Sequence, residues 1–327
     1  MALLAMGGPR EETEVAPFLE ALFSDRRMIR LPWFLRPFQD RLARRIARRR
    51  TPLVAPKYAA IGHSPLVATT EALARALEDT AGAAGRRLSA WAGMRYGPPR
   101  TPDVLGNALP TARATRVVLL PQYPFYSGAT TESSLLEAEA AVTAHGLRPL
   151  RIERFGDHPL HLQLVEEQVR AVWDDVPMSR RDEAHLLFSA HGLPESYVRR
   201  GDPYHDEVRR AFEAVRDRLA DIVPKERFHL SFQSRVGPVE WLRPYTDETL
   251  VRLGRSGVRS LVVVPFGFTC EHLETLEEID IQYRELAHDN GITGFHRVPT
   301  PGTDPRYVAL QLDLVEQALA DDDGGAR

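Results

Sequence analysis

One cysteine in 327 residues, two lysines among 42 basic side chains and no apolar run near bilayer length are what this sequence lacks first. A lone thiol, Cys270, can close no intramolecular disulfide and cannot supply the four thiolates of a typical iron–sulfur cluster, so a reducing cytoplasm is allowed and no cluster is expected. Spanning a membrane takes roughly 20 consecutive apolar residues. The opening MALLAMGGP also lacks the charged start of a secretory signal and reaches glycine too soon. The expectation is a soluble chain, at most peripheral to a membrane. Charge of one sign is missing too: 42 basic residues face 45 acidic ones, a net charge of −3, which gives no general affinity for nucleic acid. Because only Lys57 and Lys225 are lysines, the positive charge is almost all arginine, a skew that reads as genome composition. Several motifs are absent as well. Neither G-x-G-x-x-G nor a Walker lysine follows the first strand, so Gly7-Gly8-Pro9 reads as a tight turn. Ser189-Ala190-His191 is no nucleophile elbow, since G-x-S-x-G is missing, and Cys270 beside His272 carries no cysteine-protease signature.

What is present is ordinary globular composition, 43% apolar and 27% charged, at a length that suggests about two domains. Short apolar runs alternate with amphipathic stretches, the pattern of an α/β fold with a mostly parallel sheet. Strands are expected at 2–6, 88–93, 116–120, 185–189, 229–233, 261–266 and 295–298. Helical spacing links Val15, Phe18, Leu19, Leu22 and Phe23, and again Val208, Phe212, Val215 and Leu219. A loop near 146–156 divides the chain into expected domains 1–150 and 151–327, and the tail DDDGGAR at 321–327 is expected to fray.

Unusual residues cluster just after the expected strands: Met6-Gly7-Gly8-Pro9, Met94-Arg95-Tyr96-Gly97, Pro121-Gln122-Tyr123-Pro124, Ser189-Ala190-His191-Gly192, Gln233-Ser234-Arg235 and Phe268-Thr269-Cys270-Glu271-His272. Loops at the carboxyl ends of parallel strands form the ligand crevice of open α/β sheets, so a site shared by two domains is the expectation. His191 has the chemistry of a base or a metal ligand. In the acidic stretch 271–280, Leu273, Leu276, Ile279, Tyr283 and Leu286 read as the buried stripe of a helix. Glu274, Glu278 and Gln282, four apart, form an edge that is either an exposed acidic helix face or a ladder able to bind or pass a hard divalent cation. His272 and Glu274, two apart, can act together only at a helix start or a π-bulge. Residues 30–50 combine Trp33, Phe34, Leu35 and Phe38 with eight arginines, which suits a membrane surface, a greasy lip at a ligand cleft, or a basic helix whose apolar residues pack internally.

These motifs, in order, make the chain resemble the ferrochelatases, which insert ferrous iron into a porphyrin. The resemblance rests on LLAMGGP, PFLEALFSD with Leu31-Pro32, IGHSPL, AGMRYGPP, LPQYPFYSGATTESS, LFSAHGLPESYVRRGDPY, FQSRVGPVEWLRPYTDETL and VPFGFTCEHLETLEEIDIQY. It implies two similar Rossmann-like domains with a porphyrin cleft between them. It also implies that His191 is the essential histidine, Glu274 its partner acid and Glu278 the next group in an acidic row. His191, Glu274 and Glu278 would hold or deliver the metal. Met6, Arg95, Tyr96, Trp241 and Phe268 would line the porphyrin site, Ser127 and Thr130 would lie in a wall loop, and Arg95 with the arginine-rich lip would neutralise propionates.

Departures from the family pattern are Gln282 for a carboxylate, Ala5 for the usual Asn, Phe125 for a frequent Gln, and IGHSPL, one residue short with His63 in it. Met6 matches the branch acting on protoporphyrin IX, where the coproporphyrin branch more often has Tyr. The expected function is therefore formation of protohaem from protoporphyrin IX and ferrous iron, in the cytoplasm or on the inner membrane face, with no further cofactor. The rivals are a coproporphyrin III ferrochelatase and a relative that binds porphyrin or haem without chemistry.

Overall fold

In a computed structural model the described residues are 1–29, 33–112 and 114–325, without the side chain of Leu35. Leu31, Pro32 and the Leu35 side chain, expected to belong to the lip, lie outside the described residues. The chain divides into two compact units, Met1–Arg154 with Gly302–Arg327, and Phe155–Pro301.

Each unit is built on a four-stranded parallel sheet. In the first, β1 (Ala2–Ala5), β2 (Trp91–Met94), β3 (Arg116–Pro121) and β4 (Arg148–Arg151) lie in the order β2-β1-β3-β4. In the second, β5 (Ala184–His191), β6 (Phe228–Gln233), β7 (Ser260–Phe266) and β8 (Gly294–Arg297) lie in the order β6-β5-β7-β8. The two orders are the same topology. In each, the chain steps from the first strand to one neighbour and then reverses to the other side. The switch points between β1 and β3 and between β5 and β7 are where ligand crevices form in such sheets.

The clearest of the expected strands are near-continuously apolar: β1 and β7 are buried at every position, as strands covered on both faces must be. Their side chains form the core, with Leu187, Leu261 and Val263 packed against Leu250, Ile279 and Tyr283 in the second unit. Truncating a fully buried leucine such as Leu187 to alanine costs about 2–5 kcal/mol. β4 was not expected. It is an edge strand of sequence RPLR, half-exposed, so it carries no apolar run to reveal it.

Two expectations at the C-terminus are corrected. Residues 302–327 group with the first unit rather than the second, because Tyr307 Oη donates to Gln122 (2.9 Å) and Gln122 donates to Gln311 (2.9 Å), joining the last helix to the end of β3. That helix, Pro305–Gly325, runs into the acidic tail expected to fray. Asp322 is held by Arg148 at 2.6 Å and Arg116 at 3.2 Å, so cations of the sheet edge hold the end that its composition would release.

Candidate active site

The second unit gathers its chemistry at the carboxyl ends of its strands. His191 is the last residue of β5, two residues beyond the expected strand, and remains partly exposed. The turn after it is tight. Gly192 donates to the carbonyl of Gln233 at 2.8 Å, and a Cβ there would lie 2.8 Å from that oxygen and 3.2 Å from the Trp241 ring, so only glycine fits. Tyr204 Oη donates to the His191 carbonyl at 2.9 Å, and the Trp241 ring stands edge-to-face with the imidazole at 6.4 Å between centroids.

Opposite the imidazole begins a helix wider than an α-helix. Glu274–Tyr283 is a π-helix: Arg284 N–H donates to the Ile279 carbonyl, five residues back. Side chains pair at the same interval, Gln282 Nε2 with Glu277 Oε1 at 2.5 Å and Tyr283 Oη with Glu278 Oε1 at 2.7 Å. This register revises the expected buried stripe. Ile279 and Tyr283 are buried, but Leu273, Leu276 and Leu286 are only partly so, while Thr275 and Glu277 are inside. The wider turn also changes the carboxylate edge. Glu274 meets His191, Glu278 is held separately, and Gln282 bonds to Glu277.

Glu274 Oε2 lies 3.0 Å from His191 Nδ1. Burial disfavours the charge on both groups, yet their mutual attraction outweighs it: the His191 pKa is raised, with Glu278 adding to the effect, and the Glu274 pKa falls to about 2. The contact therefore favours the charged form of each partner. Glu278 goes the other way. Burial, with Glu274 as a like-charged neighbour, raises its pKa despite hydrogen bonds from Ser234, Tyr283 and Gln233. Adjacent carboxylates driven apart in this way are suited to different tasks.

A polar floor fixes Glu278. Ser189 Oγ donates to Gln233 Oε1 at 2.6 Å, which turns the Gln233 amide nitrogen to the Glu274 carbonyl (2.9 Å) and Glu278 Oε2 (3.1 Å). Ser234 adds its N–H at 3.0 Å and its hydroxyl, from a backbone held at φ +66°, in the left-handed region that favours glycine. Glu278, Gln282, Gln233, Ser234, Arg235 and Asp247 face a cavity of about 290 Å³. In the sequence Gln233-Ser234-Arg235 stands out as a strand-end cluster without a role, Tyr283 reads only as part of the buried stripe, and nothing marks Tyr204.

His272 sits at the helix start, where a joint role with Glu274 was expected to need it. Its Nδ1 accepts the Glu274 N–H at 2.9 Å, its ring stands against Phe268 at 4.9 Å, and burial lowers its pKa, keeping it neutral. Glu271 secures the approach to this turn, bonded to Arg297 and to the Thr300 N–H.

The first unit holds Met6, Arg95, Tyr96, Ser127 and Thr130. The Met6 carbonyl accepts the Tyr96 N–H at 2.8 Å, and Gly7 at φ +90° lies so close to the Tyr96 carbonyl that no Cβ fits. Ser127 is buried, its hydroxyl accepting the Ala129 N–H, while Thr130 immediately precedes the helix Thr131–Ala144. Arg95, expected to meet propionates, directs its guanidinium at the buried Asp25 (2.7 Å), the partly buried Glu137 (2.9 Å) and Ser133 (2.8 Å). Tyr96 is buried and donates to Asp25 at 2.8 Å.

An imidazole paired with one carboxylate and backed by a second, on a parallel α/β scaffold, has the chemistry to accept a proton and to offer ligand atoms to a divalent metal. Comparisons with known proteins agree. The ferrochelatase family model matches residues 1–319. A ferrochelatase of Geotalea uraniireducens is 41% identical over 322 residues, covering 97% of each chain, and one of a Nostoc species is 42% identical over 97% of this chain and 81% of its own. Among solved structures, the cobalt complex of the sirohydrochlorin chelatase SirB from Bacillus subtilis subspecies spizizenii shares the fold at TM-score 0.53 and 15% identity, over 78% of this chain and 91% of that one. CbiX, the terminal enzyme for biosynthesis of siroheme in denitrifying bacteria, shares it at TM-score 0.52 and 15% identity, over 97% and 98%. The chain belongs to the ferrochelatase family. It is an enzyme that inserts metal into porphyrin, with porphyrin and iron as substrates.

Proposed function

We propose that this ferrochelatase acts on protoporphyrin IX, with His191 as proton acceptor and Glu274 as its charge partner. The observation that supports the chemistry is the 3.0 Å His191–Glu274 contact. A free-base porphyrin carries two N–H groups, and both protons must leave as ferrous iron enters. With Nδ1 held by Glu274, His191 takes a proton on Nε2, and Glu274, whose carboxyl stays ionised, stabilises the imidazolium that forms. Glu278, raised in pKa and open to the cavity, carries the second proton and passes iron inward. Ferrous iron accepts imidazole and carboxylate ligands, so His191, Glu274 and Glu278 are the metal-handling set. In the second unit Trp241 and Phe268 supply apolar wall, and a wall that binds the bent ring better than the flat one lowers the barrier; in the first unit Met6 is the apolar residue that the family resemblance assigns to porphyrin. Tyr96, Ser127 and Thr130 belong to the wall on the first unit, with Arg95 beside Tyr96 bonded to Asp25, Glu137 and Ser133. Carboxylates of the substrate are left to exposed arginines such as Arg36, Arg41 and Arg44.

The substrate assignment rests on Met6. No cofactor beyond substrate iron is needed, and a single cysteine argues against a cluster. We place the protein in the cytoplasm, in peripheral contact with the inner membrane face through Trp33, Phe34 and Phe38, which are strongly exposed. Among the described residues no helix is long and apolar enough to cross a membrane. Metal insertion into protoporphyrin IX and coproporphyrin III, measured side by side, tests the assignment: the former should have the higher kcat/KM, and a reversed preference would overturn it.

A further inference from the structure

The segment that exposes Trp33, Phe34 and Phe38 has little packing of its own. Trp33 is 79% exposed, and its ring contact is with Phe34 beside it, centroids 6.0 Å apart. A side-chain cluster beneath the chain that leads into it is, by contrast, densely bonded. Asp25 ends the approach from the helix Glu12–Ser24 and is 8% exposed. Its Oδ2 receives Arg95 Nη2 at 2.7 Å, Tyr96 Oη at 2.8 Å and the Ser133 hydroxyl, and its Oδ1 receives the Arg27 N–H at 2.7 Å. Its carbonyl receives the N–H groups of Met28 at 3.1 Å and Ile29 at 2.9 Å, closing a turn. The Ile29 carbonyl in turn accepts Gln39 Nε2 at 3.0 Å, from the first residue of the helix Gln39–Ala60.

We propose that Asp25 is a positioning residue that sets the exposed aromatic segment in place for porphyrin, by tying its root to the Arg95–Tyr96 loop and to the helix Thr131–Ala144. The inference rests on the reading of that segment as a substrate lip.

Charge supports this role. Asp25 and Glu137 face Arg95, and Glu137 also meets Arg100 at 2.5 Å, so two acids and two arginines neutralise one another. A partly buried ionic cluster such as this adds little net stability compared with apolar packing, but it accepts one arrangement and penalises others. Burial opposes the Asp25 charge, and the donors from Ser133, Arg27 and Arg95 overcome it, keeping the carboxyl below its usual pKa. An aromatic tip exposed to water has little packing to hold it, so its placement depends on its two ends, the turn at Asp25 and the helix Gln39–Ala60.

The test is Asp25→Asn in the full chain, with limited trypsin digestion and steady-state kinetics on the same preparation. Cleavage after Arg26 and Arg27 should accelerate about five- to tenfold, and KM for protoporphyrin IX should rise by a similar factor, with kcat and KM for iron within about twofold of wild type. Ser133→Ala, which removes one donor, should shift both readings in the same direction by about two- to threefold, and it decides the matter if Asp25→Asn does not fold. Unchanged cleavage in the folded variants would overturn the proposal. Faster cleavage with unchanged porphyrin KM would overturn the lip reading and the positioning role with it, leaving metal insertion at His191 untouched.

Discussion

His191 and Glu274 come from different elements, the last residue of a central strand and the first of a π-helix, and meet at 3.0 Å between Nδ1 and Oε2. The carboxylate raises the imidazole pKa, so the neutral base is regained only above the ordinary histidine range. Turnover should therefore rise with pH through that raised pKa. Glu274→Gln removes the attraction, so its profile should rise at lower pH, and its maximal rate should fall by about 10²–10⁴. Parallel kcat–pH profiles check both parts.

The two neighbouring acids of the π-helix should respond differently. Glu278→Gln removes a carboxylate that faces the cavity, so KM for iron should rise about tenfold or more. Glu277 is buried and bonded to Gln282, so Glu277→Gln should lower Tm by a few degrees while leaving iron KM near wild type. Loss of activity from Glu277→Gln equal to that from Glu274→Gln would mean the row is merely a charged helix face.

The π-register marks the limit of what spacing along the chain could reveal. Apolar runs such as those of β5 and β7 made the α/β fold readable, and the strand-end positions of His191 and Gln233 pointed to the crevice. An α-helical count over 273–286, however, placed Leu273 and Leu276 inside, where the wider turn buries Thr275 and Glu277. Long-range pairings were equally silent. Asp322 reads as a frayed tail until Arg116 and Arg148 are seen beside it. Asp25 was visible as the end of PFLEALFSD, but Arg95, Tyr96 and Ser133, whose side chains bond to it, lie about 70 to 110 residues away, at separations local spacing rules do not reach.

Acid should destabilise the fold through His161. It is 4% exposed, its ring nitrogens make no hydrogen bond among the described residues, its ring meets Phe155 edge-on, and burial lowers its pKa to about 4. The unfolded chain binds a proton near pH 6.5 and the folded one only near 4, so stability should be full above 6.5 and decline as pH falls toward 4, by on the order of 3 kcal/mol from this residue. Urea midpoints measured across that range should fall less steeply in His161→Phe.

Membrane contact should depend on the exposed aromatics. Flotation with anionic liposomes should show weak binding that salt reduces, and Trp33→Ser with Phe34→Ser should weaken it further. If flotation and porphyrin KM both remain unchanged, the segment has neither role.

The most direct measurement is metal insertion by His191→Ala, together with porphyrin binding and thermal unfolding of the same variant. The side chain leaves the end of β5 and is partly exposed, so its loss should remove little core and leave folding and porphyrin affinity near wild type. The account predicts that metal insertion is abolished. A folded His191→Ala protein that turns over at the wild-type rate would contradict it.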